Sequence, residues 1–261
     1  MILQEIAEKT KERTENEKKI LSLAVVRAEA ESMDKNTGFP FKAALAKQGL
    51  SFICEVKKAS PSKGVIAEDF DYLGIAKDYE KAGASAISCL TEPFWFKGSD
   101  EYLKEISRNV GIPVLRKDFT VDEYMIYRAK TLGASAVLLI CSILSPAQLK
   151  EYYDIAKSLG LSALVEAHDE AEIQMALDAK AEIIGVNNRN LKDFTVDIRN
   201  SINLRKLVPP EVLYVSESGM KTSEDIAELY KNGVNAVLIG ETLMRSSDKK
   251  KMLAELSSGC N

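Results

Sequence analysis

Histidine is nearly absent from this sequence. His168 is the only one, so a metal site built on several histidines is excluded and a serine hydrolase would have one candidate base. Cysteine is scarce and scattered. Residues 54, 89, 141 and 260 contain no close pair with zinc or redox spacing, and three of them lie in or beside apolar runs, which reads as small, buried, inert thiols. Glycine and proline number only 14 and 7, too few for a collagenous or low-complexity chain. No apolar run approaches a membrane span: the strongest covers residues 136–141, far short of the roughly 20 needed to cross a bilayer. The N-terminal residues turn charged within a few positions, so no signal peptide is expected. Excess charge is missing too. Against 35 basic residues stand 39 acidic ones, with no basic stripe interleaved with aromatics, and nucleic acid is not an expected partner. These absences lead us to expect a cytoplasmic protein without a membrane or nucleic-acid partner; a monomer is expected as well.

What is present is α/β alternation. The 261 residues, 46% hydrophobic and 28% charged, suit a single large domain spanning 1–261. Its first 45 residues differ from the rest. Apolar patches at Ile2, Leu3 and Ile6, and at Ile20, Leu21, Leu23 and Ala24, recur at helical spacing among charges, predicting one or two amphipathic helices packed on something larger. From Phe52 onward, short Val/Ile/Leu-rich segments alternate with amphipathic ones. Eight candidate strands fall at 52–57, 86–90, 113–117, 136–140, 163–166, 183–187, 212–215 and 236–239, apolar on both faces as in a parallel sheet. Ser145-Pro146 marks a helix start before residues 147–158. One joint repeats four times: Gly83-Ala-Ser-Ala86, Gly133-Ala-Ser-Ala136, Gly160-Leu-Ser-Ala163 and Gly233-Val-Asn-Ala236. In each, glycine supplies a left-handed helix stop and small residues admit close helix–sheet packing. The pattern predicts a (βα)8 TIM barrel with an N-terminal helical extension. A doubly wound open sheet is the alternative, and no GxGxxG turn follows the first strand to support it.

In such barrels the active site lies at the C-terminal strand ends. Strand side chains alternate faces. Burying Phe52 and Val56 against helices therefore sends Glu55 and Lys57 into the barrel. The same parity turns Lys117, Glu166, Arg189 and Glu217 inward. Three acids thus face three bases across one mouth, and buried charges are costly unless they pair or serve a ligand. A stabilising rim salt bridge is the alternative for any single residue; six converging on one end favour a site. Ser60, in the Ser60-Pro61-Ser62-Lys63-Gly64 loop, and Gly219 and Gly240, after the seventh and eighth strands, suit a phosphate.

These motifs together resemble the indole-3-glycerol phosphate synthase family. The residues concerned are Glu55-Val56-Lys57-Lys58-Ala59-Ser60-Pro61-Ser62, Thr91-Glu92 with Phe96-Lys97-Gly98, Leu115-Arg116-Lys117-Asp118-Phe119, Asn187-Asn188-Arg189-Asn190-Leu191 and Ser216-Glu217-Ser218-Gly219. The match runs from about Pro40 to Met244, and an N-terminal helical extension is typical of the family. Two positions depart: Ala167 precedes His168 where valine is usual, and Glu241 follows Gly240 where a small residue is common. The resemblance implies a carboxy-lyase of tryptophan biosynthesis. Such an enzyme converts a carboxyphenylamino-deoxyribulose 5-phosphate, a small phosphorylated substrate, to indole glycerol phosphate with loss of carbon dioxide and water. No cofactor or metal is expected, because the ring-closed iminium itself accepts the electrons of decarboxylation. Within that chemistry Lys117 is the candidate acid, and crowding by Lys57 is expected to lower its pKa. Glu166 is the candidate base, assisted by Lys57, which Glu55 orients. The resemblance also implies that Asn187 and Arg189 hold substrate, that Glu217 and Ser218 support its aromatic and polyol ends, and that Phe96, Leu115 and Phe119 border its ring. His168 reads as a loop or capping histidine. Two rivals stay open. A phosphoribosylanthranilate isomerase would want a cysteine–aspartate pair, and a non-catalytic phosphate-binding barrel would lack the acid–base set.

Overall fold

The computed structural model describes residues 2–190 and 194–260; Leu191 of the fourth motif lies outside the described residues. Eight strands, β1 (Ser51–Val56), β2 (Ala86–Leu90), β3 (Val114–Lys117), β4 (Ala136–Ile140), β5 (Ser162–Ala167), β6 (Ile183–Asn187), β7 (Leu213–Glu217) and β8 (Ala236–Ile239), pair in parallel and in sequence order. Pairing of β1 with β8, through Ser51–Ala236 to Cys54–Ile239, closes the barrel. The expected glycine stops are present: Gly83, Gly133, Gly160 and Gly233 have φ of +96°, +89°, +73° and +79°. Helix α7 (Pro146–Ser158) opens with Ser145 in a capping box with Gln148. One short antiparallel ribbon, Ala59–Ser60 with Gly64–Val65, follows β1.

The strand parity is as the sequence predicts. Outward residues Phe52, Cys54 and Val56 pack with the helices, while inward Ile53, Leu115, Leu164 and Val215 fill the barrel. Cys54, Cys89 and Cys141 are buried and Cys260 is half-buried. Burial pushes the Cys141 thiol up to about 12, which keeps it unreactive.

The N-terminal extension forms three helices rather than the expected one or two: α1 (Ile2–Ile20), α2 (Leu23–Ser32) and α3 (Pro40–Leu45). Each has its own seat. Phe41 and Leu45 of α3 join the inward cluster as a plug, beside the small Ala86, Ala136 and Ala236 at the strand starts. Helix α2 packs on α6 (Glu123–Thr131). Helix α1 lies at the opposite end, beside the C-terminal strand ends. There Arg13 donates to Asp118 at 2.9 Å and Lys18 to Asp122 at 2.7 Å. Asp118 also accepts from the Thr91 hydroxyl at 2.6 Å. Burial alone would raise the Asp118 carboxyl, but the charges of Arg13 and Arg116 outweigh it and hold the pKa below its ordinary value.

Candidate active site

The C-terminal strand ends surround a cavity of about 530 Å³, a size suited to a small ligand. Into it converge Glu55, Lys57, Lys117, Glu166, Asn187 and Glu217, with Arg189 on the loop that follows β6. The charges form two groups. Lys57 lies 2.7 Å from Glu55 on β1. Across the mouth, Lys117 of β3 lies 3.0 Å from Glu166 of β5 and 3.3 Å from Glu217 of β7. Asn187 donates to the second oxygen of Glu166 at 3.3 Å.

This pairing corrects the expectation for Lys117. Burial does push its pKa down, but the carboxylates of Glu166, Glu217 and Glu55 outweigh burial, and the pKa is raised. Lys57, paired with Glu55 at 2.7 Å, is not among the leading influences on it. The two carboxylates diverge in response. Burial would raise Glu166, yet Lys117 and His168 hold it below the ordinary carboxylate range. Glu217 goes the other way, pushed up to about 7 by burial and by the charges of Glu166 and Glu55, against the pull of Lys117. Its Oε1 is buried with no hydrogen-bond partner among the described residues. The mouth therefore holds a lysine whose charged form is favoured beside two carboxyls pushed in opposite directions, which is the makings of acid–base work.

Two glycines make room for these groups. A Cβ on Gly185 would lie 2.3 Å from Glu217 Oε1, and one on Gly240 would lie 2.6 Å from Glu55 Oε1. The other expected phosphate residues, Ser60 and Gly219, line the same cavity as Gly240. Gly219 has φ +96° after Ser218 at +67°, so the chain turns sharply there. Glu241, the departure noted above, is offset by its neighbours: Arg245 Nε lies 3.1 Å and Lys63 Nζ 3.9 Å from its carboxylate.

The ring-bordering set is brought together in part. Phe96 and Phe119 line the cavity with ring centroids 6.0 Å apart. Leu115 does not line it. It is wholly buried, one inward position below Lys117, and belongs to the barrel core; Leu90 and Leu138 line the wall instead. His168 shares the Glu166 face as expected. Its Nδ1 is 3.0 Å from Glu172 and its Nε2 3.4 Å from Glu166, the latter not aligned as a hydrogen bond. Its backbone N–H also donates to Glu172, in the first turn of α8 (Glu170–Asp178), so the histidine secures a helix start. Sequence reasoning missed Ile2, Leu3 and Ile6, which line the cavity from α1. Their helical spacing was visible; the surface they would meet was not.

Comparison with known proteins agrees with this geometry. The family model described as indole-3-glycerol phosphate synthase matches residues 3–256. A protein of that name from Ruminiclostridium cellulolyticum is 58% identical over 256 residues, covering 98% of each chain. One from Endomicrobium trichonymphae is 56% identical over 256 residues, covering 98% of this chain and 99% of the other. Among solved structures, 3-hexulose-6-phosphate synthase from Salmonella typhimurium superposes with a TM-score of 0.67 at 14% identity, over 80% of this chain and 98% of that one. At that identity the likeness shows the barrel fold alone.

Proposed function

The chain belongs to the indole-3-glycerol phosphate synthase family over nearly its whole length, and from that premise we propose that it closes the indole ring in tryptophan biosynthesis. The substrate is 1-(2-carboxyphenylamino)-1-deoxy-D-ribulose 5-phosphate. The observation that carries the reading is Lys117 held between Glu166 and Glu217 in a cavity of about 530 Å³.

In the first step the ring carbon bearing the carboxylate attacks the ribulose ketone. Lys117 donates a proton to the ketone oxygen as it becomes an alcohol. Its raised pKa is no obstacle, since a developing alkoxide is a stronger base than an amine, and a lysine held charged is always ready to donate. Carbon dioxide then leaves, and its bonding electrons restore the aromatic ring by neutralising the iminium. In the last step Glu166 takes the proton from the carbon next to nitrogen, while Lys57 protonates the departing hydroxide. Glu55, 2.7 Å from Lys57, orients that ammonium. Asn187 and Arg189 hold the substrate, with Glu217 and Ser218 at its aromatic and polyol ends. Phe96 and Phe119 flank the aromatic ring, and Ser60, Gly219 and Gly240 take the phosphate. The basic Lys63 and Arg245 at that end suit a dianion.

We read residues 1–261 as one domain, supported by the separate seats of α1, α2 and α3 on the barrel. A monomer suffices, because a single chain lines the whole cavity. The cytoplasm fits the buried thiols, and no described helix is long and apolar enough to cross a membrane.

Incubation with the substrate should produce indole fluorescence; its absence would overturn the reading. Glu166→Gln should nearly abolish that signal while leaving the melting temperature unchanged or slightly raised. Lys117 keeps Glu217 as a partner, and active sites commonly trade stability for function. A melting temperature that fell while turnover survived would make Glu166 a structural ion pair instead.

A further inference from the structure

The loop after β2 is folded around one carboxylate. Glu92 is 0% exposed and accepts from the backbone N–H of Phe94, Trp95 and Phe96 at 2.8, 2.8 and 2.9 Å. Its own carbonyl accepts from the Gly98 N–H at 2.7 Å, which closes the loop. Pro93 brings no N–H and takes no part. A Cβ on Gly98 would lie 2.4 Å from the Leu90 carbonyl oxygen, so only glycine lets the loop return so closely onto β2. A buried carboxylate is costly unless hydrogen-bonded. Three charge-assisted bonds to backbone donors satisfy it and fix the loop in one shape. Glutamine would present a donor to donors on one of its two atoms.

Glu92 itself does not line the cavity, but Phe96 does, with its ring 6.0 Å from that of Phe119. The rest of the loop stays outside: Trp95 does not line the cavity. The carboxylate thus sits behind the wall and sets where the wall's aromatic residue stands. We propose that Glu92 is a positioning residue for the substrate's aromatic ring, acting through Phe96. The inference rests on the functional reading above, which supplies an arylamine substrate.

Two variants of the full chain test it. Glu92→Gln keeps the reach and loses the charge, whereas Glu92→Asp keeps the charge and loses the reach. Each should raise KM for the arylamino substrate about three- to tenfold, the worth of one aromatic contact, while changing kcat less. Inhibition by inorganic phosphate, which probes the other end of the cavity, should be unchanged. Trp95 is the chain's only tryptophan, and its emission should shift in both variants, because the loop that its backbone N–H ties to Glu92 is no longer held in one shape. In a Phe96→Ala background Glu92→Gln should add nothing further to KM, the mark of two residues acting as one. A folded Glu92 variant with unaltered KM overturns the inference, as does full additivity with Phe96→Ala. Failure of both variants to fold overturns it as well, since Glu92 would then serve the fold and not ring binding. Absence of product from the unaltered protein is a separate result, and it removes the functional reading first.

Discussion

The floor and the mouth of the barrel are built by the same strands with the same alternation, and they differ in almost everything else. At the floor the inward positions are Ile53, Leu115, Leu164, Ile183 and Val215, sealed by Phe41 and Leu45. One step along β1, β3, β5 and β7 the inward positions become Glu55, Lys117, Glu166 and Glu217, all but Lys117 buried outright. A strand costs nothing extra to carry both, because successive inward residues are two apart. Stability and chemistry can therefore be assigned to different heights of one barrel, and substitutions at the two heights should behave oppositely.

The largest effect is expected at the mouth. Lys117→Ala should lower kcat by about a hundredfold or more, the scale of a lost general acid, with a smaller change in KM. Steady-state kinetics with the indole fluorescence readout decide this, and a loss below about tenfold on that scale removes Lys117 from the role. Next comes the floor. Leu164, wholly buried two residues before Glu166 on the same face, should cost about 2–5 kcal/mol of stability when cut to alanine. Turnover per folded molecule should stay near that of the parent. Denaturant unfolding and an active-fraction assay on Leu164→Ala would expose any coupling; a parallel collapse of kcat would break the division between the two heights.

The smallest effect concerns His168, which stands at the edge of the mouth. Burial alone would depress the imidazole, but Glu166 and Glu172 raise its pKa to about 10 from an ordinary 6.5. A group raised on folding stabilises most below its unfolded pKa, so this contribution is full below pH 6.5 and is lost as pH rises through about 10. With one histidine in the chain, a single imidazole resonance reports the titration. Melting temperature should fall more between those limits in the parent than in His168→Gln. A midpoint at or below the ordinary value would sink this account.

The sequence carried the repeating parts of the fold because they are local. Each strand is an apolar run, each glycine stop is one residue, and the parity of Phe52 and Val56 was enough to aim Glu55 and Lys57. Strand ends moved by small amounts: β3 begins after Pro113, which has no N–H to contribute to the ladder, and β7 runs on to Glu217. The site residues that project from strands were legible for the same reason. What was not legible depends on partners distant in sequence. The pKa of Lys117 turns on whether its nearest charge is Lys57 or the pair Glu166 and Glu217, and no spacing along the chain decides that. Leu115 has the parity of Lys117 but sits one layer lower, and its sequence motif does not report depth. Helices α1 and α3 belong to one N-terminal extension, yet one lines the mouth and the other plugs the floor.

The clamp between Arg13 and Asp118 also imposes an order of events during synthesis. The two residues are 105 positions apart, so at about 5–20 residues per second the arginine is made many seconds before the aspartate. Through that interval α1 (19 residues) lacks its partner, and helices in proteins draw most of their stability from tertiary packing. The wall that Ile2, Leu3 and Ile6 lend to the cavity can be set only after β3 has formed. A nascent chain therefore gains its complete cavity only when a helix made early has docked against a partner made later.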